Sequence, residues 1–76
     1  QVLLNVNVTK KPNLDTVPEL QRAIHESEQR LNGSGRVLVR YSGTEPLLRV
    51  MVEGECDDTI REVANRLVDV VKTHLG

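Results

Sequence analysis

Arg36-Val37-Leu38-Val39-Arg40-Tyr41-Ser42-Gly43-Thr44-Glu45-Pro46-Leu47-Leu48-Arg49-Val50-Met51-Val52-Glu53-Gly54 is the stretch that decides the fold. Its two ends alternate with a period of two, as half-buried strands do. Val37, Val39 and Tyr41 fall on one side, and Arg36, Leu38 and Arg40 on the other. After the break, Leu48, Val50 and Val52 fall on one side, and Arg49, Met51 and Glu53 on the other. Between them, Ser42 to Pro46 combine two hydroxyls, a glycine, a carboxylate and a proline, which is loop chemistry. The stretch therefore predicts a hairpin with strands over 36–41 and 48–54 and a loop over Ser42–Leu47. The valines have to share one buried face, and the simplest register pairs Val39 with Val50 and Val37 with Val52. That register sets Arg40 opposite Arg49. A slip of one residue would turn one strand's valines outward.

Upstream, Val2, Leu4, Val6 and Val8 alternate with Leu3, Asn5 and Asn7, which predicts a first strand. Lys10-Lys11-Pro12-Asn13 ends it, and the two lysines read as a solvated strand end. Thr16-Val17-Pro18-Glu19 reads as a helix start, with Thr16 at the N-cap and Glu19 completing a capping box. Val17, Leu20, Ala23, Ile24, Ser27 and Leu31 form its apolar face. Arg22, Glu26 and Arg30 form a charge ladder on the other face. Asn32-Gly33-Ser34-Gly35 stops the helix, with glycine available for a left-handed cap. Downstream, Asp57 or Asp58 is positioned to cap a last helix. Its stripe is Ile60, Val63, Ala64, Leu67, Val70, Val71 and Leu75, with Lys72 and His74 near its C-terminus and Gly76 after it.

The order β-α-β-β-α implies an α+β two-layer sandwich, a small mixed or antiparallel sheet with both helices on one face. Strands one and two run parallel, with the third, the more apolar of the last two, between them and antiparallel to both. The other sheet face carries Leu3, Leu38 and Met51 among polar residues. An open, partly apolar face on so small a domain implies a neighbouring domain.

The totals narrow the function classes. Seventy-six residues make one domain, 1–76. A domain of this size buries roughly 60% of its unfolded surface. With no Phe or Trp, its core is built from Val, Leu and Ile. Ten basic and 11 acidic residues give a net charge of −1, which argues against a nucleic-acid binder. The open face also offers no aromatic platform for stacking bases, since Tyr41 follows the buried parity. No apolar run approaches the roughly 18 residues of a membrane span, and no signal peptide is visible. Cys56 has no second cysteine to pair with, which fits a reducing compartment. An aspartate pair follows it and would disfavour its thiolate. The chain opens on a strand at Gln1, as an excised domain would. His25 and His74 stand in no metal-ligand spacing and no triad arrangement, so neither a metal site nor covalent catalysis by Ser42 or Thr44 is expected.

The hairpin tip is a different matter. Two arginines set opposite each other cost stability, and an anion lying between them would offset that cost. Ser42 and Thr44 supply hydroxyl donors, Gly43 lets the backbone approach closely, and the amides of Gly43, Thr44 and Glu45 can converge into an anion nest. Pro46 stiffens the return, and Glu45 orders the loop by accepting hydrogen bonds. The bland reading stays open beside this one. In it, Arg40 and Arg49 form a solvated surface paired with Glu53 or Glu45.

Arg40-Tyr41-Ser42-Gly43-Thr44-Glu45-Pro46, continued by Leu47-Leu48-Arg49-Val50-Met51-Val52-Glu53-Gly54, resembles the signature of the last domain of the α-D-phosphohexomutases, and more narrowly of their bacterial phosphoglucosamine mutase branch. The signature covers about fifteen residues, and the flanking strand and helices extend the likeness to the whole chain. The resemblance implies a parent enzyme that interconverts glucosamine 6-phosphate and glucosamine 1-phosphate. It works through a bisphosphate intermediate and an enzyme phosphoserine, which is not in this chain. It implies a cytoplasmic protein, with Mg2+ bound by another domain. Its partners are a phosphosugar substrate and the other domains of the same enzyme. The isolated domain is expected to be inactive. Arg40, Ser42, Gly43, Thr44 and Arg49 would contact the substrate phosphate. A phosphomannomutase/phosphoglucomutase parent and a free-standing anion-binding regulatory module are the alternatives.

Overall fold

The computed structural model describes residues 1–33 and 35–75. Its elements are β1 (Val2–Asn7), α1 (Pro18–Leu31), β2 (Arg36–Tyr41), β3 (Leu47–Glu53) and α2 (Asp57–Leu75), with a 3-10 turn at Leu14–Thr16. The sheet order is β1-β3-β2, and both pairings are antiparallel. This is the expected α+β arrangement, with the third strand in the centre.

Alternation along β3 builds the core. Leu48, Val50 and Val52 are fully buried and face the helices. They meet Val6 and Val8 from the first strand and its exit, Leu20, Ala23 and Leu31 from α1, and Ile60, Val63, Ala64, Leu67, Val71 and Leu75 from α2. Fully burying each large aliphatic side chain contributes about 1.5–3 kcal/mol. Val2, Leu4, Val37, Val39, Tyr41 and Val70 pack around this centre at partial burial. The hairpin register is the expected one: Val37↔Val52, Val39↔Val50 and Arg40↔Arg49.

Four local expectations are corrected. Thr16 is not the N-cap of α1. Asn13 Oδ1 accepts the Asp15 N–H at 3.0 Å, and the Thr16 hydroxyl donates to the Asn13 carbonyl at 2.6 Å. That upstream turn draws Thr16 away, leaves Val17 in the cap position with no side-chain cap bond, and so forms no capping box with Glu19. Pro18 at the helix start lacks an N–H, which lowers the need for a cap. At the other end Asn32, not a glycine, takes the first left-handed position (φ 53°), and Gly33 follows at φ 78°. Ser34 and Gly76 lie outside the described residues.

Neither Asp57 nor Asp58 caps α2. Both lie in its first turn, and the Cys56 carbonyl accepts the Ile60 N–H at 3.0 Å. Lastly, the α1 charges do not pair along their own helix. Arg30 reaches Glu62 at 2.6 Å and Glu26 is reached by Arg66 at 3.2 Å, so both ion pairs bridge to α2. The two helices lie side by side, and the cross-helix partners are closer to hand than the next turn.

Candidate functional site

The open sheet face is set by parity. Across one rung it presents Asn5, Arg49 and Arg40 in a row, because Asn5 pairs with Arg49 and Arg49 with Arg40. The next rung presents Leu3, Met51 and Leu38. Leu3 and Leu38 are 62% and 42% exposed, whereas Met51 between them is 8% exposed. A shallow hollow of about 240 Å³ lies over these two rungs, lined by Gln1, Leu3, Leu38, Arg40, Arg49 and Met51.

Among the described residues, neither Arg40 nor Arg49 makes an ion pair. The partner suggested for them, Glu53, is taken by Arg36 at 3.3 Å, in the row beyond Leu38 and Met51. Among the described residues, Glu45 pairs with no arginine. It contributes its backbone carbonyl, which accepts the Leu47 N–H at 2.7 Å. Two arginines therefore stand opposite each other without a carboxylate partner among the described residues. Like charges in that position are destabilising.

The loop begins where the ladder closes. Ser42 N–H donates to the Leu47 carbonyl at 2.9 Å, so Leu47 belongs to β3 and the loop is one residue shorter than expected. Ser42 is buried at this rung, and Gly43, Thr44, Glu45 and Pro46 are exposed. No acceptor among the described residues takes the amide N–H of Gly43, Thr44 or Glu45. Gly43 has no positive φ, and a Cβ added there would meet nothing within 4 Å. Neither conformation nor packing within the chain accounts for a glycine at this position.

Contacts from outside the hairpin also reach the loop. Val8 N–H donates to the Pro46 carbonyl at 2.9 Å, Lys11 Nζ donates to the Ser42 carbonyl at 3.4 Å, and the Tyr41 hydroxyl donates to the Pro12 carbonyl at 2.6 Å. Burial pushes the Tyr41 pKa above its usual value. The Lys11 contact was not legible in the sequence, because Lys10-Lys11 reads as a solvated strand end and the strand's exit angle is not written in its composition.

The remaining titratable groups lie apart from this tip. Cys56 is exposed at the start of α2. Its pKa is lowered, first by the Thr59 side-chain hydrogen bond and next by the Thr59 amide, and the Asp58 charge opposes this without prevailing. This corrects the expectation that the aspartates would disfavour the thiolate. The Thr59 hydroxyl first, and then the Thr59 and Asp58 amides, outweigh burial and the Asp58 carboxylate. His25 lies on the exposed face of α1 within 3.2 Å of the Gln29 amide nitrogen. Among the described residues, no three His, Cys, Asp or Glu side chains gather as a metal site would require, so the residues present do not fit Mg2+. Among them also, no helix is long and apolar enough to cross a membrane.

The chain is similar to known proteins along nearly its whole length. A family model described as "Phosphoglucomutase/phosphomannomutase, C-terminal domain" matches residues 3–70. The phosphoglucosamine mutases of Pelobacter propionicus and Lacticaseibacillus casei are each 50% identical over all 76 residues. That of Lawsonia intracellularis is 51% identical over the same span. The chain covers 17% of the length of each of these relatives. With the signature loop, the fold and a match along nearly the whole chain in agreement, this chain belongs to the phosphoglucomutase/phosphomannomutase C-terminal domain family.

Proposed function

We propose that the β2–β3 tip grips the phosphate of a hexose phosphate. Arg40 and Arg49 are its guanidinium contacts, Ser42 and Thr44 its hydroxyl and amide donors, and Gly43 a backbone donor. Glu45 and Pro46 order the loop. The observation that carries the reading is the arginine pair, set opposite each other by the register with no carboxylate on either among the described residues. A phosphate dianion between them would turn a repulsive rung into a bidentate site. The uncommitted amides of Gly43, Thr44 and Glu45 supply further donors beside it.

In this reading residues 1–76 serve as the phosphate-binding C-terminal domain of a longer phosphoglucosamine mutase. The branch follows from the names of the relatives. That enzyme interconverts glucosamine 6-phosphate and glucosamine 1-phosphate by way of a bisphosphate and a phosphoserine carried elsewhere. Mg2+ is likewise held by other parts of the enzyme, and this domain alone turns nothing over. Its partners are the phosphosugar and the enzyme's other domains, in the cytoplasm.

The division of labour has a physical logic. Binding energy taken from a phosphate remote from the reacting atoms orients the sugar and drives closure. The sugar has to be accepted in two orientations, so the grip is best made of donors that recognise phosphate and ignore the ring. Arg40→Ala in a full-length phosphoglucosamine mutase carrying this chain tests the reading. A single charge-assisted contact removed is worth about 1.5–3 kcal/mol, so kcat/KM is expected to fall about tenfold to a hundredfold with an unchanged melting temperature. Wild-type kinetics in that variant would count against the role.

A further inference from the structure

The connector that leaves β1 ties down both feet of the loop. Val8 holds the Pro46 carbonyl, and Lys11 holds the Ser42 carbonyl. The Lys11 ammonium also lies 6.0 Å from the centre of the Tyr41 ring, within cation–π range. Tyr41 closes the arrangement by donating to Pro12, the residue after Lys11. The Val8 bond continues the β1–β3 ladder one residue past Asn7↔Leu47, but the Lys11 and Tyr41 side-chain contacts are not part of any rung, so strand pairing alone does not require them.

The bond to Ser42 has a directional consequence. The Ser42 carbonyl and the Gly43 N–H belong to one planar trans peptide and point in opposite directions. A cation held on that oxygen fixes the plane, aims the Gly43 N–H away from Lys11, and polarises it as a donor. From this we infer that Lys11 and Tyr41 are positioning residues of the anion site: Tyr41 holds the connector in place through Pro12, and Lys11 orients and strengthens the Gly43 amide from behind the loop. The inference rests on the phosphate-grip reading and adds a lysine and a tyrosine to it, neither of which needs to touch the phosphate. It also explains why an exposed lysine lies against the chain instead of extending into solvent.

Amide NMR of this 76-residue chain, titrated with inorganic phosphate at low salt, tests it together with amide hydrogen exchange. Tyr41→Phe removes one hydroxyl and no charge, so a loss of affinity reports positioning and not electrostatics. Tyr41→Phe and Lys11→Met are each expected to weaken phosphate binding about threefold to tenfold, the range of one net hydrogen bond. Exchange at the Ser42 and Leu47 amides should speed up in both variants while that of Val50 and Val52 stays at wild-type rates. Lys11→Arg should restore most of the affinity. If the wild-type chain binds phosphate and both variants bind equally tightly, the positioning role is wrong and the phosphate grip stands. If the wild-type chain gives no phosphate response at the tip, the grip and the positioning role fall together.

Discussion

Arg40 and Arg49 occupy one rung of the hairpin, and their apposition was legible before any coordinates. A period of two excludes any odd slip once the valines share a face, and the simplest register left sets these two opposite each other. Their lack of a carboxylate partner was not legible. Glu53 carries the right charge on the right face, and only the observed row shows it taken by Arg36. Gly43 gives the sharper test at this scale. Its φ is not positive and open space surrounds its missing Cβ, so the folded chain itself tolerates a methyl group there. Gly43→Ala is expected to change stability by no more than about 0.5 kcal/mol, as exposed substitutions usually do. It should nevertheless weaken phosphate binding severalfold, because the methyl would stand where the anion approaches the amides. Chemical denaturation and a phosphate titration on the same variant check the two halves. A large loss of stability would show that the glycine serves the fold instead.

Elements were read well in their centres and poorly at their ends. The apolar stripes of α1 and α2 and the alternation of all three strands are long signals, so chance matches average out. Caps depend on one or two residues, and there a neighbour can compete. Asn13 outcompeted the expected box by capping its own turn, and nothing in Thr16-Val17-Pro18-Glu19 announces that. The helix–helix ion pairs needed the relative placement of α1 and α2, which sequence spacing within one helix does not contain. They are half-exposed and worth at most about 1 kcal/mol each. A stronger constraint sits at the entry to β2. A Cβ on Gly35 would lie 2.0 Å from the Glu53 carbonyl oxygen and 2.9 Å from the Gly54 Cα, both backbone atoms of the chain leaving β3. Gly35→Ala should therefore cost about 1–3 kcal/mol, the usual penalty for forcing extra volume into packed structure. The midpoint of a urea titration reads this directly. An unchanged midpoint would mean that the two backbones separate at no cost.

At the scale of the molecule, a three-stranded sheet backed by two helices leaves one face uncovered. The split β-α-β order was legible because β3 is more apolar than β2, which suits the centre of the sheet. The open face was legible too, down to Leu3, Leu38 and Met51, although Met51 proves buried between its neighbours. How the connector after β1 returns to the loop was not, because it depends on the chain's path through Lys10-Lys11-Pro12 and not on any periodic pattern. The result is a small frame whose packed side fixes the hairpin and whose loop end collects unpaired donors. Whether that end recognises phosphate without regard to the sugar is the central claim. Titrating this chain with inorganic phosphate and, separately, with glucosamine 6-phosphate while following the amides of residues 42–47 and the Arg40 and Arg49 side chains tests it most directly. The account predicts millimolar binding (about 4 kcal/mol), with the same amides shifting to the same extent for both ligands. Shifts that differ strongly between the two, or that bypass the tip for the apolar hollow at Leu3 and Leu38, would contradict it.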